Sequence, residues 1–314
     1  MSILPRLVAI VGPTASGKSS LALRLARLFR GEILSADSMQ VYRKMDIGTA
    51  KPSPAERKLV PHHLIDILDP DQDYSAALFR AQADPIIVRL HQKGNPIFVA
   101  GGSGLYLKAL TRGLFRGPGA DPKLRQNLKK RAAQEGAPAL HRELAVLDPP
   151  AASRIHPEDL LRIVRALEVH FQTQRPISHF QRVHGFQERP YTVLKIGLAW
   201  EREELYRRIE TRVDRMIEAG WVGEVRELLA SGYPRTLKSM KSLGYRHLAA
   251  YLDGEADLQE AAAKIKRDTR RFAKRQLTWF RADAEVHWFD PNSEPEARIE
   301  ALVKSFLDSA TGNT

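Results

Sequence analysis

The feature that most constrains this chain is a short apolar run, Leu7-Val8-Ala9-Ile10-Val11, that passes without a break into Gly12-Pro13-Thr14-Ala15-Ser16-Gly17-Lys18-Ser19. An apolar run rich in β-branched residues reads as a strand buried in a parallel sheet. The G-x-x-x-x-G-K-S spacing that follows lets backbone N–H groups turn inward around phosphate oxygens. It also supplies the point charge of Lys18 and places the Ser19 hydroxyl to ligate Mg²⁺. Leu21, Leu25, Leu28 and Phe29 then recur at helical spacing, so the loop lies between a strand and a helix, as phosphate binding requires. An ordinary Gly-containing turn is the bland alternative, and the complete motif in this context outweighs it.

Two further strand ends converge on the same region. Glu32-Ile33-Leu34-Ser35-Ala36 reads as a second strand with Asp37-Ser38-Met39-Gln40 at its carboxyl end, where open α/β sheets place their ligands. A carboxylate beside a phosphate site needs an offsetting proton, cation or reacting group, so Asp37 is a candidate general base or metal partner. Capping a following helix is its structural alternative. Pro96-Ile97-Phe98-Val99-Ala100 is a third strand, ending in Gly101-Gly102-Ser103-Gly104. An ordinary ATPase has a metal-holding aspartate at such a position, and its absence argues against ATP hydrolysis. Ser103 could orient Asp37 by a hydrogen bond or be a plain turn serine. His62-His63 are neighbours on an extended segment and point to opposite faces, which suits structural or loop roles better than chelation.

Composition narrows the partners. The 314 residues carry 49 Lys and Arg against 37 Asp and Glu, a net charge of +12, so the surface favours phosphate-rich partners. There is no cysteine, which excludes disulfides, thiolate metal sites and cysteine nucleophiles. The opening Met1 to Leu7 is interrupted by Pro5, and no segment approaches the ~18 consecutive apolar residues of a membrane span. The expectation is a cytoplasmic protein with no membrane association, acting as a monomer.

A cluster of Gly and Pro between Gly113 and Pro122 marks a boundary, followed by helix-compatible sequence from 121 to 189. Residues 121–189 are therefore expected to form a small inserted helical domain, splitting a core domain into residues 1–120 and 190–314. Within the insertion, Arg162 and Arg165 lie one helical turn apart, suited either to a phosphodiester backbone or to a solvated face with Glu168 pairing Arg165. Phe171, Phe180 and Phe186 among basic residues suit base stacking, though such aromatics are more often core. The core resumes with a strand at Tyr191 to Leu198 and a helix from Arg202 to Glu218 whose polar side carries Arg212 and Arg215. Lys264, Lys266, Arg267, Arg270, Arg271, Lys274 and Arg275 crowd one helix, with residues 264, 267, 271 and 275 on a common side, a basic ridge for tracking a nucleic-acid backbone. After a last strand at Val286 to Phe289 the tail reads as polar and frayed. The fold class expected overall is α/β, a P-loop NTPase-like parallel sheet flanked by helices with an inserted small helical domain.

Taken in order, Gly12 to Ser19, Asp37 to Tyr42, Asp46-Ile47-Gly48-Thr49-Ala50-Lys51-Pro52, His62 to Asp66, Gly101 to Tyr106 and the basic helix resemble the bacterial tRNA dimethylallyltransferases, from about residue 7 to 290. The resemblance implies transfer of a dimethylallyl group from dimethylallyl diphosphate to N6 of the adenosine 3′ of the anticodon, with release of diphosphate and Mg²⁺ as cofactor. It implies that Gly12, Pro13, Thr14, Ala15, Ser16, Gly17, Lys18 and Ser19 hold the diphosphate, with Ser19 on the metal. Asp37 would be the catalytic base, Ser103 would steady it where the family more often has threonine, and Arg212 would contact diphosphate. The tRNA anticodon stem-loop would be met by Asp37, Ser38, Met39, Gln40, Ser103, Arg125, Leu161, Arg162, Ile163, Val164, Arg165, Lys241, Arg246, Arg267, Arg271, Lys274 and Arg275. The insertion would clasp the anticodon loop, and with no cysteine in the sequence the zinc-finger extension of some eukaryotic relatives is not expected.

Three other readings use the same motifs. A small-molecule or nucleotide kinase would use Asp37 to orient an acceptor hydroxyl, but would not need a basic carboxyl-terminal helix. An adenylate isopentenyltransferase would share the chemistry without a long RNA surface. A nucleic-acid-binding switch without catalysis would make Asp37 and Ser103 dispensable.

Overall fold

A computed structural model describes residues 4–309. Arg6–Val11 (β1) has no exposed side chain from Leu7 to Ile10, so the apolar run is covered on both faces. It runs through the phosphate-loop motif into Lys18–Leu28 (α1), then Glu32–Ser35 (β2), Pro54–Leu59 (α2), the two-residue strand His62–His63 (β3) and Ala76–Gln92 (α3). Ile97–Ala100 (β4) and Gly104–Arg112 (α4) follow. Helices Pro122–Glu135 (α5), Ala137–Leu147 (α6), Pro149–Ala152 (α7), Leu160–Thr173 (α8) and Ile177–His184 (α9) come next. The sheet resumes with Thr192–Leu198 (β5), and helices Arg202–Glu218 (α10), Trp221–Ala230 (α11), Tyr245–Leu252 (α12) and Leu258–Arg281 (α13) precede Val286–Phe289 (β6) and Glu296–Asp308 (α14).

The six strands form one parallel sheet in the order β3-β2-β4-β1-β5-β6. Because β1 lies between β4 and β5, with Leu7 opposite both Ile97 and Val193, the turn after it opens at the centre of the sheet's carboxyl edge. Val8 and Ile10 of β1 pack with Leu21 and Leu25 of α1 and with Ile299 and Val303 of α14. The expected frayed tail is thus corrected: residues 296–308 are helical because Ile299 and Val303, one turn apart, give them an apolar stripe to bury. A second core joins Val41 and Met45, after β2, to Val213, Trp221, Val225, Tyr245, Leu248 and Ile265 of α10 to α13. The second core sets the walls of the site.

The chain divides into two compact units, residues 1–111 with 189–314, and 112–188. The smaller unit begins at residue 112, ahead of the expected 121. The Gly/Pro segment belongs to it: Phe115 stacks on Phe180 at 6.1 Å between ring centroids, and Arg165 Nη2 donates to Pro118 O at 3.0 Å. The smaller unit has its own core of Leu128, Leu140, Leu144, Ile163, Leu167 and Val169. No helix among the described residues is long and apolar enough to cross a membrane.

Candidate active site

Gly12 and Gly17 hold positive φ angles of 138° and 95°, which favour glycine, and they curl the loop around α1's amino end. A Cβ on Gly12 would lie 2.7 Å from Leu198 O, so β5 leaves no room for a side chain there. The loop is braced from outside: Trp200 Nε1 donates to Ser16 O at 3.0 Å and Arg208 Nε to Ala15 O at 3.1 Å. Gln276 Oε1 accepts from Thr14 N at 2.8 Å. Lys18 Nζ donates to Pro13 O at 2.5 Å, and burial together with the nearby Arg212 guanidinium pushes its ammonium down to about 7, against the opposing pull of Asp37. Arg212 is lowered by the same burial, again opposed by Asp37. A dianion entering here would meet two cations whose charge burial now disfavours.

Asp37 follows β2 directly and caps its own turn, not a helix: Oδ1 accepts from Met39 N at 2.8 Å and Gln40 N at 3.4 Å. Oδ2 accepts no hydrogen bond among the described residues, which leaves one carboxylate oxygen for a ligand. Ser103 does not bond Asp37 as expected. Its Oγ accepts from Ser38 N at 3.2 Å, because the turn after β2 presents a backbone N–H to it before the carboxylate. Ser103 thus holds the turn that carries Asp37.

Two adjoining cavities meet at this turn. One of about 210 Å³ is lined by Thr14, Lys18, Ser19, Asp37, Lys51, Gly102 and Arg212. The other, about 290 Å³ and mainly apolar, is lined by Met39, Ile209, Val213, Met216, Trp221, Tyr245 and Ile265. Asp37, Arg212, Thr49, Phe272 and Gln276 belong to both linings. A polar compartment fit for phosphates therefore adjoins an apolar compartment fit for a hydrocarbon or a base, with a carboxylate and a guanidinium at the junction.

The IPP transferase family model matches residues 40–283, and the isopentenyl transferase model matches residues 5–67. The tRNA dimethylallyltransferase of Geobacter metallireducens is 56% identical over 91% of this chain and 92% of that protein. The crystal structure of full-length tRNA isopentenylpyrophosphate transferase from Bacillus halodurans is 41% identical, covers 98% of both chains and superposes with a TM-score of 0.72. A eukaryotic dimethylallyltransferase acting on tRNA superposes with a TM-score of 0.77 at 26% identity, over 91% of this chain and 73% of the other. This chain belongs to the tRNA isopentenyltransferase family.

Not every residue expected to touch tRNA in a tRNA isopentenyltransferase is available for it here. Ile163 and Val164 lie in the core of the smaller unit, 0% and 3% exposed, because they occupy the apolar stripe of α8. Leu161 and Arg162, on the opposite side, are exposed at 77% and 64%. Arg125 and Arg165 grip the buried Glu168, at 2.7 Å and 2.6 Å. Burial raises the Glu168 carboxyl, but the hydrogen bonds from Arg125 and Arg165 outweigh it and hold it below the ordinary range. These two arginines therefore organise the helical unit. Gln40 is buried, with its carboxamide joined to Ser35 Oγ, Thr49 O and Ala50 O, so its side chain braces the wall instead of meeting a base.

On α13 the expected ridge is exposed at Lys264, Arg267, Arg271, Lys274 and Arg275, whereas Lys266 and Arg270 pair with Asp214 and Glu210 of α10. Arg246, Arg267 and Arg271 converge on Asp268, and Lys241 is exposed on the loop before α12. His62 Nδ1 meets Val60 O and His63 Nε2 meets Glu32 Oε2 at 2.6 Å, both structural contacts. No group of three or more His, Asp or Glu among the described residues could hold a metal ion.

One residue that sequence reasoning missed is Gln276. It was hidden in a helix read for its charges, yet it shares α13's buried side with Ala273 and Phe280, and a lone amide on an apolar stripe was the available signal. Its Oε1 holds Thr14 N and its Nε2 donates to Gly102 O at 3.0 Å, joining the phosphate loop to the Gly-rich turn after β4. A Cβ on Gly102 would lie 2.1 Å from that Nε2, so the bridge requires glycine there.

Proposed function

We propose that this tRNA isopentenyltransferase moves a dimethylallyl group from dimethylallyl diphosphate to N6 of the adenosine 3′ of the anticodon, releasing diphosphate. The observation that carries the reading is the pairing of a polar and an apolar cavity through Asp37 and Arg212. Diphosphate oxygens would occupy the polar cavity, against the backbone N–H groups at the amino end of α1, Lys18 and Arg212, where charge grows as the C1–O bond stretches. The isoprenyl carbons would lie on the apolar side. The N6 lone pair attacks C1, the C1–O pair departs on diphosphate, and Asp37 takes the N6 proton during or after C–N bond formation. A neutral exocyclic amine is too weak an acid to lose that proton beforehand. The Met39 and Gln40 N–H groups fix one Asp37 oxygen so that the other can accept.

Mg²⁺ fits this donor set as a hard cation carried mainly by substrate oxygens, with the exposed Ser19 hydroxyl and Asp37 on the same cavity wall. When bound it would offset charge on the leaving diphosphate. The RNA would be held by the exposed cations of α13 with Lys241 and Arg246, and by Arg162 of the helical unit, with the target base drawn out of its stack. Incubating the protein with labelled dimethylallyl diphosphate, Mg²⁺ and unmodified tRNA, AMP or ATP in separate reactions tests the reading. Label in tRNA alone is expected; label in AMP or ATP would transfer the chain to the adenylate branch.

A further inference from the structure

The wall that the two cavities share is held by a carboxylate outside them. Three consecutive backbone N–H groups, those of Asp46, Ile47 and Gly48, point at Glu224 of α11, at 2.7 Å and 2.6 Å to Oε2 and 3.1 Å to Oε1. Successive N–H groups curled in this way form a concave anion site, one that elsewhere takes a phosphate. Here the chain fills it with its own side chain. The Tyr245 hydroxyl donates to the same Oε1 at 2.6 Å, so each carboxylate oxygen takes two hydrogen bonds. Burial, with Glu224 next in weight, keeps that phenol protonated by raising it well above its ordinary range.

What Glu224 grips continues directly into the site. Gly48 lines the apolar cavity, Thr49 lines both, and Lys51 lines the polar one. The segment is seated hard against the aromatic pair behind it: a Cβ on Gly48 would lie 2.0 Å from Trp221 Nε1. From the other side, Gln40 holds the carbonyls of Thr49 and Ala50, and Lys51 Nζ bonds Tyr42 O, Asp46 and Asp66. Among the described residues, only the Glu224 contact ties the segment to the helical layer of α11 and α12 through its amides, and charge-assisted hydrogen bonds are about twice as strong as neutral ones. A carboxamide in its place could present one acceptor oxygen and would turn an NH₂ toward backbone N–H donors.

We propose that Glu224 is a positioning residue for prenyl transfer. By clamping the amides of residues 46–48 it sets how far the 48–51 wall stands from Asp37 and Arg212, and so sets the fit of the allylic diphosphate. The claim rests on the function proposed above for the site, but it has a readout of its own. In Glu224→Gln the KM for dimethylallyl diphosphate should rise about tenfold while kcat changes less than about threefold, the pattern of lost uniform binding. Glu224→Asp, with the charge on a shorter arm, should recover part of that loss. Amide hydrogen exchange in the unliganded protein should be slow at residues 46–48 in the wild type and much faster there in Glu224→Gln, with β1 unchanged. A purely structural residue would lower the melting temperature and leave KM, measured well below it, unaltered; that result, or unchanged exchange at 46–48, overturns the proposal. Should Glu224→Gln not fold, Gly48→Ala, which leaves the carboxylate in place and pushes the segment off Trp221, must raise the same KM, and an unaltered KM would refute the claim. If the wild type transfers no prenyl group at all, the functional reading fails, and amide exchange alone then decides whether Glu224 sets the wall.

Discussion

Replacing Gln276 by leucine keeps the side chain's approximate volume and removes both ends of the bridge between the phosphate loop and the turn after β4. Thr14 N–H and Gly102 C=O then lose their partners beside a residue that is itself only 6% exposed. At roughly 1 kcal/mol for each hydrogen bond lost in a partly hydrated setting, the change costs about 2 kcal/mol. If that energy holds the loop in its binding geometry, it corresponds to a loss of about thirtyfold in kcat/KM for the allylic diphosphate. The melting temperature should fall by only about 5 °C. Gln276→Glu sharpens the test, because it retains the acceptor for Thr14 N but sets a carboxylate against Gly102 O. It should be no better than leucine, although it is closer in shape. Steady-state kinetics at saturating tRNA, with thermal unfolding of the same preparations, measures both effects. A leucine variant with kcat/KM within twofold of wild type would refute the idea that this bridge shapes the phosphate loop.

Asp37→Ala should leave tRNA affinity within about twofold and reduce single-turnover transfer by at least ~100-fold, as for loss of a positioned base; gel-shift binding and quenched-flow transfer on one preparation check it. Neutralising Arg271 and Arg275 together should weaken tRNA binding and flatten the slope of log affinity against log salt by up to about 2, read from binding at several salt concentrations. The depressed Lys18 predicts a pH effect of definite sign. Its ammonium is charged below about 7 and neutral above it in the free protein, so affinity for dimethylallyl diphosphate should fall as the pH rises through 7, and binding above 7 should take up a proton. Lys18→Arg, charged throughout, should lose that fall; calorimetry in buffers of different ionisation heat measures the uptake. The unliganded wild type should also gain stability from about pH 7 upward, where the unfolded chain keeps a proton that the folded one has released.

The strands and the phosphate loop were legible because their signals are local. β1 is an uninterrupted apolar run, and the glycine and lysine spacing has one geometric purpose. α14 was missed because its stripe, Ile299 and Val303 with Leu302 and Phe306 packed alongside, is short and follows the polar, turn-rich Asp290-Pro291-Asn292-Ser293-Glu294-Pro295. Its helix is stabilised by a sheet distant in sequence. The site shows the same division. Lys18, Asp37 and Arg212 lie on one cavity as expected, since each sits at or beside a strand end or on a helix whose polar side was readable. The roles of Ser103, Glu224 and Gln276 depend on which backbone atom a side chain meets across 65, 178 or 174 positions, which no window of sequence contains, and that of Gln40 on a non-periodic loop that folds back over 9 positions. Arg125 and Arg165 illustrate the converse. The family resemblance pointed Arg125 to RNA, and the sequence left Arg165 open between a phosphodiester and Glu168; the structure pairs both with Glu168, which is buried and not on a solvated face.

The most direct test of the account is to digest tRNA, after incubation with the protein, dimethylallyl diphosphate and Mg²⁺, to nucleosides and oligonucleotides and to locate any five-carbon addition by mass spectrometry. The account predicts a dimethylallyl group on N6 of the adenosine 3′ of the anticodon, one diphosphate released for each group added, and neither product with Asp37→Ala. Addition at another nucleoside, or undiminished transfer by Asp37→Ala, would contradict it.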